Sequence, residues 1–149
     1  MMQSDDHTSA LHRLRIVLVR PRIAGNIGAV ARCMENFDAG PLVLVEPEVS
    51  PASREAMQRS THGEHRLHSA RVVSTIAEAL EGCVYAIGAS RRPGPVHQAE
   101  DLSPRDMGLV VAQIISREGI PAAMGPGRDS RTSDPPHEVA LLFGSEDNG

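Results

Sequence analysis

The stretch RIVLVRPRIAGNIGAVARCMENFDAGPLVLV, residues 15–45, decides the fold class of this chain. It begins and ends with short apolar runs, 15–19 and 42–45, of the kind that form buried strands. Between these runs, apolar side chains recur at helical spacing from Asn26 to Phe37, and we expect Asn26 to be the N-cap of that helix. A strand, a helix and a second strand in this order predict a parallel sheet covered by helices.

The rest of the chain continues this alternation. We expect helices at about 51–58, 76–80 and 104–117, and strands at 72–73, 83–88 and 139–143. Thr75 and Glu78 have the spacing of a capping box, whereas residues 60–69 are polar and are expected to form a surface loop. The predicted fold class is therefore α/β, a Rossmann-like parallel sheet with helices on both faces. Ligands of such sheets bind beyond the carboxyl ends of the strands.

Length and composition are typical of a single globular domain. With 149 residues the chain can bury a sizeable core, and we expect residues 14–149 to form that domain. We expect residues 1–13 to be a disordered leader and the Gly- and Pro-rich segment 119–137 to be a flexible insertion. There is no run of about 18 apolar residues and no secretory signal, and the cysteine count supports no disulfide framework. The expected location is the cytoplasm, without a membrane span.

The charge pattern limits the kind of nucleic-acid contact that the chain can make. A net charge of −4 excludes a generally basic surface. All 15 basic residues are arginine, which genome composition explains, although the planar guanidinium also suits bidentate contact with phosphate. One tyrosine and two phenylalanines are too few for a module that stacks bases on aromatic rings. Any RNA contact is therefore expected to be a local arginine patch.

The first candidate site is the start of the first helix. Gly28 and Arg32 lie four residues apart on one predicted helical face, beside Asn26. Small residues there would let a polyanion approach closely, and Arg32 could hold a phosphate with two hydrogen bonds. The alternative is a tight turn in which the glycine serves packing and the arginine is solvated. The segment lacks the G-x-G-x-x-G spacing of dinucleotide-binding folds, and the chain has no G-K-[ST] sequence.

Three further candidates follow other predicted strands, each with a solvated loop or turn as the alternative. Arg20 follows the first strand, Arg91 and Arg92 follow the strand at 83–88, and Gly144 to Glu146 follow the last. Because the carboxyl ends of parallel strands share one edge of a sheet, these residues are expected to lie near one another.

Two other groups are expected to be structural. His62, His65 and His68 are spaced by three, but Gly63 interrupts the segment and no carboxylate completes a ligand set, so we expect no metal site. Cys33 is expected to be an inert thiol on the buried side of the first helix.

Taken together, the segments resemble one family. The pattern Asn26-Ile-Gly-Ala-Val-Ala-Arg32 followed by Asn36-Phe37 is similar to the first motif of the SpoU (TrmH-like) RNA 2′-O-ribose methyltransferases of the SPOUT superfamily. The order of four later segments resembles its TrmJ-like branch: Leu42–Pro47, Thr75–Leu80, Ile87–Arg91 and Phe143–Glu146. The resemblance covers about residues 14–110 and 138–149.

This resemblance implies an activity and roles for the residues above. A methyl group would pass from S-adenosylmethionine to a ribose 2′-hydroxyl, with a tRNA anticodon loop as the expected substrate. Asn26, Arg32 and Glu146 would be catalytic, and Gly144, Ser145 and Glu146 would contribute to the cofactor pocket. RNA contacts would come from four arginines and one glycine: Arg20, Gly28, Arg32, Arg91 and Arg92. Because a guanidinium keeps its proton, Arg32 would act by binding phosphate and stabilising charge on the 2′-oxygen.

The chain departs from the family pattern in two places. Family members continue into a third motif within a knotted segment, which this sequence is expected to lack, and residues 119–137 are longer than the usual loop. Members form homodimers through the knotted part, so the complete protein is expected to dimerise. One alternative function is a catalytically incomplete RNA-binding module of the same fold. Another is a Rossmann-like nucleotide-binding module of unrelated activity.

Overall fold

The computed structural model describes residues 10–89, 102–116 and 138–144. Its centre is a sheet of five parallel strands in the order β3-β2-β1-β5-β4. The sheet confirms the predicted fold class. The strands are β1 (Leu14–Val19), β2 (Leu42–Val45), β3 (Arg71–Val73), β4 (Cys83–Ala89) and β5 (Glu138–Phe143). All five lie at or within one residue of their predicted positions.

In the described part of the chain, five helices and two 3₁₀ turns accompany the strands. They are the turn Ala10–Arg13, α1 (Ala24–Phe37), α2 (Arg54–Ser60), the turn Thr61–Gly63, α3 (Glu64–His68), α4 (Ile76–Ala79) and α5 (Pro104–Ser116). The prediction of a loop at 60–69 is wrong, because this segment forms the second turn and α3. The second helix begins three residues later than predicted, since Ser53 is its N-cap and accepts a hydrogen bond from the Ala56 amide at 3.2 Å.

The first helix begins earlier than the sequence predicted. Its N-cap is Ile23, which makes no side-chain capping bond, and the Asn26 amide already donates to the Ile23 carbonyl at 3.0 Å. The expectation that Asn26 is the N-cap is therefore wrong. Asn26 is the third helical residue, and its exposed side chain projects from the first turn of α1.

The two faces of the sheet carry different amounts of apolar cover. On one face, residues of α1, α2, α3 and α5 pack on alternate side chains of β1, including Ile16 and Leu18. On the other face, Val17, Val43 and Ala140 form a smaller cluster with Ala79 of the short helix α4. The larger apolar cover on the first face packs α1 against the sheet, with its first turn near the carboxyl end of β1.

The buried ion pair of Arg15 explains a charged residue within a central strand. Its guanidinium pairs with the Glu138 carboxylate and donates to the carbonyls of Ala79 and Glu81 at 2.7 and 2.9 Å. These carbonyls lie at and just beyond the end of α4, so Arg15 joins that end to the sheet.

Parts of the predicted domain organisation lie outside the described residues. Residues 10–13 of the predicted leader form a 3₁₀ turn, and Arg13 donates to the Ile115 carbonyl at 3.2 Å, so they are not a disordered leader. The remainder of the leader and the predicted insertion at 119–137 are not described. Within the described ranges, no helix has both the length and the apolar character to cross a bilayer.

Candidate active site

A pocket lies beyond the carboxyl ends of the adjacent strands β1 and β5. Its volume is about 200 Å³, and we call it the Asn26 pocket after its one amide side chain. Leu18 and Phe143 are paired in the sheet register and form its floor, while α1 closes one side. The lining residues are Leu18, Pro21, Asn26, Val30, Phe143 and Gly144. The structure therefore brings Asn26 and Gly144 together at the edge where ligands of parallel sheets bind.

The chemistry of the Asn26 pocket is mostly apolar. Asn26 is the source of side-chain hydrogen bonding among the lining residues, since it offers an amide donor and a carbonyl acceptor. The described part of the pocket is smaller than the roughly 300–1,000 Å³ of sites for cofactor-sized ligands. An apolar wall with one amide fits one part of a ligand such as S-adenosylmethionine rather than the whole molecule.

Arg32 lies in a second pocket, on another face of the same helix. This Arg32 pocket, of about 150 Å³, is lined by Arg32, Glu35, Asn36, Ser60, Thr61, His62 and Gly63. Arg32 is exposed, and within the described ranges its guanidinium has no hydrogen bond or ion pair. Six residues separate Arg32 from Asn26, which is about 9 Å along a helix axis. The structure thus places Arg32 on the surface as expected, but not in the pocket that contains Gly144.

Arg66 determines the electrostatics beside the Arg32 pocket. Its guanidinium donates to the Glu35 carboxylate at 2.7 Å and to the carbonyls of Ala39 and Gly40, which follow the C-terminal end of α1. The hydrogen bond from Arg66 holds the pKa of Glu35 below its usual value, and the nearby imidazoles of His65 and His62 act in the same direction. Sequence analysis missed this role of Arg66, because only the folded chain brings α3 to the end of α1.

Gly28 is not on an open face. It is buried where α1 crosses α2, and a Cβ atom there would collide with the Ala56 carbonyl oxygen and lie 2.8 Å from the Cβ of Arg59. The expectation of an open face at Gly28 is therefore wrong, because α2 covers it, and a contact of Gly28 with RNA stays a prediction. Gly63 has a similar role, since a Cβ there would approach the Ala31 carbonyl oxygen to 2.7 Å.

Arg20 lies at the predicted edge of the sheet, where it shares the carboxylate of Glu48 with Arg22. It follows β1 in a left-handed conformation with φ of 50°, and its exposed guanidinium lies 3.4 Å from the Glu48 carboxylate. Arg22 approaches the other oxygen of the same carboxylate at 3.2 Å. Two arginines therefore flank one glutamate.

The remaining predictions for the site have mixed outcomes. Arg91, Arg92, Ser145 and Glu146 lie outside the described residues, so their placement stays a prediction. Cys33 is exposed, and the expectation of a buried thiol is wrong because α1 turns this position away from the sheet. The described residues contain no group of three or more metal-binding side chains.

Comparison with known proteins places this geometry in a family. The model of the SpoU rRNA Methylase family matches residues 13–149. The chain belongs to the SpoU methylase family. This membership confirms the resemblance inferred from the motif Asn26 to Arg32 and from the segments that follow it in order.

Relatives within the SpoU methylase family agree on one branch. The chain is 36% identical over 140 residues to the tRNA (cytidine/uridine/adenosine-2′-O-)-methyltransferase TrmJ of Pseudomonas aeruginosa, covering 91% of the chain and 45% of that protein. It is 34% identical over 128 residues to the tRNA (cytidine/uridine-2′-O-)-methyltransferase TrmJ of Yersinia enterocolitica, covering 83% and 48%. The chain therefore spans about half the length of these curated relatives.

Solved structures show the same fold. The crystal structure of TrmJ from Z. mobilis ZM4 aligns with a TM-score of 0.68 at 28% identity. The alignment covers 91% of this chain and 51% of that one. The SpoU methyltransferase AviRb from Streptomyces viridochromogenes aligns with a TM-score of 0.56 at 18% identity, covering 93% and 44%. The second alignment supports the fold alone.

Proposed function

We propose that the protein is an RNA 2′-O-ribose methyltransferase that acts on tRNA. S-adenosylmethionine, when bound, supplies the methyl group. The observation that carries the proposal is the position of Asn26 and Gly144 in one pocket at the carboxyl ends of β1 and β5, with Arg32 further along the same helix and without a partner among the described residues. The TrmJ relatives are named as tRNA 2′-O-methyltransferases, which supports tRNA as the substrate.

The proposed roles belong to residues in two separate pockets. Asn26 contributes hydrogen bonds beside the apolar wall, which orients the reacting groups at the edge of the sheet. Arg32 keeps its proton, so its role is to hold an RNA phosphate beside the reacting ribose. Arg20 adds a further positive contact at the end of β1.

Several parts of the proposal rest on family resemblance, and all of their residues except Gly144 lie outside the described ranges. By family resemblance, Glu146 orders the site, and the backbone of Gly144 and Ser145 forms part of the cofactor pocket. Arg91 and Arg92 contact RNA. We propose further that the complete protein acts in the cytoplasm as a homodimer.

A methyl-transfer assay tests the reaction directly. The full chain is incubated with an unmodified tRNA transcript and S-adenosylmethionine carrying a radioactive methyl group, and the 2′-O-methylated nucleotide is identified after digestion. Asn26→Ala and Arg32→Ala should each lower kcat/KM by about 100-fold, the scale of losing one oriented or charge-stabilising group. Arg105→Ala, which removes an exposed arginine from the first turn of α5, should leave it within twofold. Full activity in both pocket variants would refute the proposed site.

The second candidate function is RNA binding without catalysis, and the small described volume of the Asn26 pocket is the observation that favours it. It predicts salt-sensitive binding of tRNA and no affinity for the cofactor. Isothermal titration with S-adenosylmethionine separates the two, since micromolar binding would exclude this second candidate.

A further inference from the structure

We propose that the Arg32 pocket is a phosphate subsite in which His62 and Thr61 bind the same RNA phosphate as Arg32. The inference rests on the proposed function, because it identifies how the same protein would hold its RNA. It adds two residues that the sequence motif does not contain. Both belong to or border the turn Thr61–Gly63, which the sequence analysis predicted to be a surface loop.

The charges around this pocket favour an anion. Glu35 is the one carboxylate among its lining residues, and Arg66 and His65 engage that carboxylate at 2.7 and 3.2 Å. The negative charge of Glu35 is therefore balanced from the side of α3, and Arg32 makes no ion pair within the described part of the chain. A guanidinium without a carboxylate partner is available for a bidentate contact with phosphate.

Besides Arg32 and Glu35, most of the residues that line the pocket carry hydrogen-bond donors. Thr61, Asn36 and His62 all line it, and a hydroxyl, an amide and an imidazole can each donate to a phosphate oxygen. Ser60 differs, because its buried hydroxyl already donates to the Met57 carbonyl at 2.8 Å. A volume of about 150 Å³ is below the range of pockets for drug-sized ligands and suits one small anionic group.

The pocket is held in shape before any ligand arrives. A Cβ atom at Gly63 would lie 2.7 Å from the Ala31 carbonyl oxygen and 3.1 Å from the Arg32 amide nitrogen, so the turn rests directly on the backbone that carries Arg32. Thr61 adopts a φ of 54°, which an L-residue with a branched side chain rarely does. A preformed set of donors loses little conformational entropy on binding, which raises affinity.

The position of the pocket indicates which phosphate it takes. Arg32 lies about 9 Å along α1 from Asn26, on a different face of the helix. A ribose that reacts at the Asn26 pocket therefore places a flanking phosphate, rather than its own base, at the Arg32 pocket. The subsite would hold the RNA strand beside the reacting nucleotide.

Binding of an unmodified tRNA transcript to the full chain tests the subsite. Affinity is measured by fluorescence anisotropy at pH 7 over a series of salt concentrations. His62→Gln should weaken binding by about fivefold, because the contact of the imidazole with a phosphate is lost. His62→Arg should restore the affinity, since a guanidinium also donates to a phosphate. Arg105→Ala is the matched control and should stay within twofold.

The outcomes separate this inference from the proposed reaction. If His62→Gln binds as tightly as the parent, or if His62→Arg is as weak as His62→Gln, the subsite is wrong. Methyl transfer is measured on the same tRNA. Transfer by the parent together with unchanged affinity in His62→Gln overturns the subsite alone. Affinity that depends on His62 without any methyl transfer supports the subsite and overturns the proposed reaction. Thermal unfolding of each variant confirms that it is folded.

Discussion

Replacing Gly28 with alanine tests whether α1 and α2 are packed backbone to backbone. A methyl group at this position would collide with the Ala56 carbonyl oxygen and lie 2.8 Å from the Cβ of Arg59. Neither atom is the mobile end of a side chain, so the two helices would have to separate. Ordinary carbon contacts are about 3.5–4.0 Å, which requires a movement of about 1 Å.

The expected loss of stability follows from two opposing effects. In an open helix interior, changing glycine to alanine stabilises by about 1 kcal/mol, because the unfolded chain loses conformational freedom. Inserting a methyl group into a filled contact costs about 1–3 kcal/mol. Since backbone atoms would have to move at Gly28, the upper part of that range applies. The net effect of Gly28→Ala should be a destabilisation of about 1–2 kcal/mol.

Urea denaturation measures the effect, with a second helical glycine as the control. Gly108 lies in α5, and among the described residues no atom outside its own stretch of helix lies within 4 Å of the position that its Cβ would occupy. Gly108→Ala should therefore stabilise by about 0.5–1 kcal/mol with an unchanged m-value. If Gly28→Ala is as stable as the parent while Gly108→Ala gains stability, the close packing of α1 on α2 is refuted.

Three further predictions concern single side chains. Because Arg66 lowers the pKa of Glu35, the stability from this carboxylate is present above about pH 4.3 and is lost as the pH falls through the lowered value. The free energy of unfolding, measured by urea titration, should therefore fall less between about pH 5 and about pH 3 in Glu35→Gln than in the parent. Glu138→Ala leaves the largely buried Arg15 with carbonyl partners alone, and should lower the free energy of unfolding by about 1–2 kcal/mol, because Glu138 is partly exposed. Ser53→Ala removes the N-cap of α2 and should cost about 1 kcal/mol by the same measurement, whereas no change would show that the capping bond is unimportant.

The sheet could be predicted because each strand is determined by a short run of consecutive residues. β1 and β2 are short, mostly apolar runs that are buried on both sides, and helices separate the strands along the chain, so position and direction both follow from the sequence. The segment 60–69 could not be predicted in this way. Its helical turns are stabilised by Gly63 against the backbone of α1 and by Arg66 against the carbonyls at the end of α1. Both are contacts between residues distant in sequence.

The site could be predicted only in part from the sequence, again because some roles depend on contacts between residues distant in sequence. The motif identifies the residue types, and the surface position of Arg32 and the placement of Asn26 beside Gly144 agree with it. The role of Gly28 depends on whether another element covers that face of the helix. A single sequence shows that a glycine permits close approach, but not whether the approaching group is a ligand or the backbone of α2.

The spacing of the motif explains why two pockets are present. Six residues of α-helix correspond to about 600°, which leaves Asn26 and Arg32 about 120° apart around the axis and about 9 Å apart along it. Two side chains so placed lie on different faces of α1 and line separate pockets. A ligand that engages both must extend along the outside of α1 from the end of β1 to the turn at Thr61–Gly63. A polymer with regularly spaced phosphates meets this requirement, and a free nucleotide confined to the Asn26 pocket does not. Short oligonucleotides should therefore gain affinity sharply at the length that first brings a phosphate to Arg32.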